Sequence, residues 1–91
     1  MSEPVGRQAP TVSGEELGDD LSLFDSASGK AVALNGTARD IWELVDGEAS
    51  VADVVATLAG AYRVEPEAIE IDVRETLDRL IAEGFIVPAA P

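Results

Sequence analysis

The apolar residues change their spacing at Asn35-Gly36. Before it they fall in short extended runs. After it they recur every three and four residues. The first pattern marks half-buried strands and the second marks amphipathic helices. Leu21-Ser22-Leu23-Phe24-Asp25 places Leu21 and Leu23 on one face and Phe24 on the other, so it reads as a strand. Ser26-Ala27-Ser28-Gly29 follows as a four-residue hairpin loop in which Gly29 can take a positive φ. Lys30 to Leu34 is the return strand. Thr11 to Leu17 is a weaker strand, with Val12 and Leu17 its only large apolar residues. Gly18-Asp19-Asp20 turns it into the next. Three short antiparallel strands are the expected result.

Three helices follow. Thr37 is a good N-cap with Asp40 three residues on, and Ala38, Ile41, Trp42 and Val45 recur at helical spacing until Asp46-Gly47. Ser50 and Asp53 repeat the capping device, and Val51, Val54, Val55, Leu58 and Tyr62 form the expected buried stripe of the second helix. Pro66 suits the first turn of the third, whose core face is Ile69, Val73, Leu77, Leu80 and Ile81. Gly84 closes it, and Phe85-Ile86-Val87 turns back as a short extended tail. The fold class is therefore α+β. Residues 1–10, with two prolines and a glycine, read as a loose arm, 11–87 as the domain and 88–91 as a C-terminal tail.

Composition narrows the chemistry. Ninety-one residues support one modest core. Aromatics are 4% of the chain, so Phe24, Trp42, Tyr62 and Phe85 are expected to be core anchors. There is no Cys and no His, which removes disulfides, thiolate metal sites and the usual general base. No cofactor is expected. The carboxylate pairs Glu15-Glu16 and Asp19-Asp20 are turn residues with nothing to perturb them, so an enzyme is the least supported class. A net charge of −12 repels phosphate backbones, and the second helix has neither Lys nor Arg, which argues against a DNA-binding winged helix. Nucleic acid is thus not an expected partner. No apolar run approaches a membrane span and no signal pattern opens the chain, so a cytoplasmic location is expected, with no membrane partner. An acyl or peptidyl carrier is the other small acidic class. Asp25-Ser26-Ala27 echoes its attachment site, but Ser26 precedes a strand and not a helix.

The order of elements suggests a groove between an open sheet edge and a helix, the arrangement that recruits extended peptides. On the third helix Ile71 lies near the polar side. Thr76 lies at the rim of the stripe with Asp72 and Arg79, readable as a solvated flank or as a groove wall. The open edge could also pair with a second copy in a homodimer.

The residues also resemble a family. Leu34-Asn35-x-Thr37-Ala38-x-x-Ile41-x-x-Leu44-x-Asp46-Gly47, then Ser50-Val51 and Leu58-x-x-x-Tyr62, then Asp72-Val73-x-x-x-Leu77-x-x-Leu80-x-x-x-Gly84-Phe85-Ile86, is similar to the PqqD-like proteins. These are peptide chaperones within the RiPP recognition elements, the leader-binding domains of ribosomally made, modified peptides. The resemblance implies a winged-helix-like fold of three N-terminal strands and three helices, and no catalytic activity. It implies that the leader of a precursor peptide adds as a fourth strand beside the third helix. A separate modifying enzyme would then receive the core peptide in a PQQ, lasso-peptide or radical-SAM type pathway. Carried onto this chain, the pairing edge is Lys30, Ala31, Val32, Ala33 and Leu34, and the helix wall is Ile69, Asp72, Val73, Thr76 and Arg79. Thr76 stands where many relatives carry a larger apolar residue. On this reading Val32→Pro abolishes leader binding if the Val32 N–H faces the open edge.

Overall fold

The computed structural model describes residues 3–89. Its elements are strands β1 (Gly6–Gln8), β2 (Val12–Leu17), β3 (Asp20–Asp25) and β4 (Ala31–Leu34). Helices α1 (Gly36–Glu43), α2 (Val51–Tyr62) and α3 (Pro66–Ala82) follow, and strand β5 (Ile86–Pro88) comes last. The β2-β3-β4 sheet is antiparallel, as the hairpin spacing predicts. Leu21, Leu23 and Leu34 turn inward from it and pack with Ile41, Trp42, Val54, Leu58, Val73, Leu77, Leu80, Phe85 and Ile86. The architecture is winged-helix-like and α+β.

The stretch expected to be a loose arm behaves differently between Pro4 and Gln8. β1 pairs antiparallel with β5, Gly6 opposite Pro88 and Gln8 opposite Ile86. Val5 N–H donates to the Ala49 carbonyl at 2.9 Å. Gly6 sits at φ +142°, and a Cβ there would meet the Val87 carbonyl oxygen at 2.1 Å, so only glycine fits. Pro88, read as the start of a tail, is the last residue of β5. The remaining arm and tail residues, Met1, Ser2, Ala90 and Pro91, lie outside the described residues.

The starts of α1 and α2 are settled by side-chain caps. Ser50 caps α2 through the full box, its hydroxyl accepting from Asp53 N–H while the Asp53 carboxylate accepts from Ser50 N–H. For α1 the cap is Asn35 and not Thr37. Asn35 Oδ1 accepts from Ala38 N–H at 2.9 Å and its carbonyl takes the first helical bond, from Arg39 N–H at 2.7 Å. Asn and Thr are both good caps two residues apart, and Gly36 lets the helix begin at the earlier one. Pro66 opens α3 as expected.

Two of the four aromatics are not core anchors. Phe24 is 47% exposed on the outer face of the sheet, because the inward positions of β3 are the odd ones. Tyr62 is 39% exposed, with its hydroxyl donating to the Asp40 carboxylate. That bond, and after it partial burial, raises the Tyr62 pKa. A phenol with an apolar body and a polar tip favours the rim of a core.

Asp25 is a buried carboxylate that staples the β3–β4 hairpin to the turn before β2. Its side chain accepts from Thr11 Oγ1 at 2.6 Å, Ala27 N–H at 3.0 Å and Ser28 Oγ at 2.9 Å. The Thr11 hydroxyl and then the Ala27 amide hold its pKa below the ordinary 3.8, against the opposing effect of burial. A carboxyl whose pKa is depressed on folding stabilises the native state above its unfolded pKa and loses that contribution as pH falls through the folded value. The urea midpoint is therefore expected to drop as pH falls below about 3.8, and Asp25→Asn to flatten that drop. A wild-type-like acid profile in Asp25→Asn would show that other carboxyls dominate.

Candidate functional site

β4 lies at the end of its sheet and, among the described residues, pairs only with β3. Its register fixes which backbone groups remain free. The Asp25 N–H donates to the Lys30 carbonyl at 2.9 Å, so Asp25 and Lys30 stand at a bonded position of the antiparallel ladder. Such positions alternate with non-bonded ones. Leu23–Val32 and Leu21–Leu34 are then bonded, while Phe24–Ala31 and Ser22–Ala33 are not. The N–H and C=O groups of Ala31 and Ala33 consequently point away from β3, toward the open edge. The Val32 N–H points inward, opposite to the orientation that the Val32→Pro test requires.

Beside this edge runs a groove of about 440 Å³. Its walls are Ala33 and Asp20 from the sheet, Asn35, Thr37 and Ala38 from the start of α1, and Asp72, Glu75, Thr76 and Arg79 from α3. The polar face of α3 is turned to the groove because Val73, Leu77 and Leu80 take its other face into the core.

The ten expected site residues divide accordingly. Ala33, Asp72, Thr76 and Arg79 meet in the groove. Ala31 is exposed on the same strand edge. Val32 is half-buried against the core and Leu34 is fully buried, so their side chains face away from the edge. Val73 is buried and Ile69 partly buried, both packed into the core and outside the groove lining. Lys30 precedes β4 in the hairpin, where its N–H donates to Ser28 Oγ at 3.2 Å. Five further residues line the groove: Asp20, Asn35, Thr37, Ala38 and Glu75. Three of them, Asn35, Thr37 and Ala38, belong to the Leu34–Gly47 string and so carried a signal.

The groove is electrostatically unbalanced. Three of its carboxylates, Asp20, Asp72 and Glu75, have no cation within ion-pair distance among the described residues. Its guanidinium, Arg79, lies 3.7 Å from Glu83, the residue that caps the end of α3. Arg39 is engaged by Glu16 and Glu43, which together raise its pKa, with Glu43 the larger cause. Among the described residues no cluster of side chains has the donors for a metal ion. No described helix is long and apolar enough to cross a membrane.

A small α+β domain with a winged-helix-like core and an open strand edge beside a helix-walled groove has the build of a peptide-binding module. The family model for coenzyme PQQ synthesis protein D (PqqD) matches residues 20–86, and the chain belongs to that family. Curated protein sequences offer no match. Two solved structures share the fold. "Lasso peptide synthetase B1 complexed with the leader peptide" is 30% identical, with a TM-score of 0.76 over 90% of this chain and 96% of that one. "TbiB1 in Complex with the TbiA(beta) Leader Peptide" is 20% identical, with a TM-score of 0.80 over 93% of this chain and 99% of that one.

Proposed function

We propose that this chain is a non-catalytic chaperone that binds the leader of a ribosomally made precursor peptide by strand addition to β4 and hands the core peptide to a separate modifying enzyme. The observation that carries the reading is the outward direction of the Ala31 and Ala33 backbone groups beside the α3 groove. Membership of the PqqD family supports it, as does the leader peptide named with a 30%-identical relative. Magnitudes add a constraint. Four backbone bonds at roughly 0.5–1.5 kcal/mol net each supply about 2–6 kcal/mol, less than the ~8 kcal/mol of a micromolar complex. Leader side chains must provide the rest, and the groove is where they would do so.

The test is a backbone-amide NMR titration with the leader of the precursor peptide encoded beside this chain's gene. Shifts are expected at 30–34 and along the groove side of 69–79. Shifts confined to 50–62, the α2 region, would refute strand addition at β4. The same titration run on a concentration series without leader tests self-association through the edge.

A further inference from the structure

The groove beside β4 is built for a cation, and we infer that the leader inserts a lysine or arginine side chain there, from the α3-facing side of its added strand. The inference rests on the strand-addition reading and adds what the groove selects. Its walls hold three carboxylates, Asp20, Asp72 and Glu75, without ion-pair partners among the described residues, against one guanidinium that lies beside Glu83. The edge next to them carries the outward backbone groups of Ala31 and Ala33, so an added strand would bring side chains to this wall. A concave surface of one sign focuses its field on whatever enters. The remaining lining suits a long basic side chain. Ala33 and Ala38 offer small apolar surface for a methylene stem, and Asn35, Thr37 and Thr76 offer polar groups around the charged head. A bulky apolar side chain would instead strip water from three carboxylates and return no partner to them. A leader glutamate would face like charge. The chain's other pairs point the same way. Arg39, with Glu16 and Glu43, and Arg74, with Glu70, lie outside the groove lining.

The experiment is selection from a displayed library of random sixteen-residue peptides against the full chain. Amide NMR of the bound winners shows where they sit. Parallel selections use Asp72→Asn/Glu75→Gln and a control with the same charge change outside the groove, Glu48→Gln/Glu67→Gln. Winners that shift Ala31 and Ala33 are expected to share Lys or Arg at one position. Replacing that residue by norleucine should weaken binding to wild type and to the control about fivefold or more, and to the groove variant less than about twofold. Winners that bind at Ala31 and Ala33 with no basic preference would overturn the cation inference and leave strand addition standing. So would an equal norleucine effect in both double variants, which would mean that bulk charge and not the groove attracts the peptide. Winners that shift only residues away from β4 would overturn both.

Discussion

Ala33→Pro is expected to eliminate leader binding while leaving the domain folded. The Ala33 N–H points away from β3, so proline there removes no ladder bond of the sheet. Proline is tolerated on an edge strand for this reason. An incoming leader would lose a donor, meet the pyrrolidine ring, and leave its own carbonyl unpaired. One lost bond of about 1 kcal/mol plus an unsatisfied acceptor at about 1–3 kcal/mol comes to roughly thirtyfold or more in affinity. Ala31→Pro should act in the same way. Val32→Pro is the informative contrast. Its N–H belongs to the bonded pair with Leu23, and its side chain packs on the core, so it should unfold or strongly destabilise the sheet. Calorimetric titration with the leader and thermal melts of the three variants separate the outcomes. A folded Ala33→Pro and a folded Ala31→Pro that both bind like wild type would place the leader elsewhere.

Much of the fold was legible because periodicity in α2 and α3 is carried by many residues at once. Val54, Val55, Leu58, Val73, Leu77 and Leu80 are all buried where the spacing puts them. Ser50 with Asp53 marked its helix start through a two-way hydrogen bond that few other residue pairs can make. β1 was not legible. Gly6-Arg7-Gln8 has no alternation, and its partner strand lies at the other end of the chain, so nothing local encodes the pairing. β2 was faint for a related reason. Val12 is half-buried and the rest of the strand is exposed, so its hydrogen bonds to β3, more than apolar burial, hold it in place.

The site was legible in outline and blurred in detail. The edge strand and the α3 wall follow from element order and from the family string. Which backbone groups face out does not, because it depends on the hairpin's bonded position at Asp25 and Lys30, and a one-residue change in register would exchange Val32 for Ala33. The string Leu34–Gly47 reads as scaffold, since Ile41 and Trp42 are core. Its first residues are both scaffold and wall. Asn35 caps α1 and lines the groove, because a helix that starts at the end of the edge strand leaves its first turn facing whatever lies along that edge.

Phe85→Ala is expected to be the most damaging single core substitution, for a reason the aromatic count alone conceals. Phe85 is the largest side chain with no exposed surface, whereas Phe24 is 47% exposed. Phe85 also sits at a junction. Its N–H donates to the Leu80 carbonyl at 2.9 Å and its carbonyl accepts from Ala9 N–H at 2.9 Å, so it ties the end of α3 to the segment after β1. Its neighbour Ile86 begins β5 and is itself buried. Truncating a buried Phe typically costs about 3–5 kcal/mol, through lost transfer energy and the cavity left behind. A domain of this size has about 5–10 kcal/mol in all, so the variant should be marginal at room temperature. Phe24→Ala should cost less than about 1 kcal/mol, since its ring gains little from burial. Urea unfolding followed by Trp42 fluorescence measures both. Equal losses for the two variants would mean that the outer face of the sheet is covered in solution, by a second copy or by the chain itself. A dependence of the Phe24→Ala loss on protein concentration would then distinguish the copy from the chain.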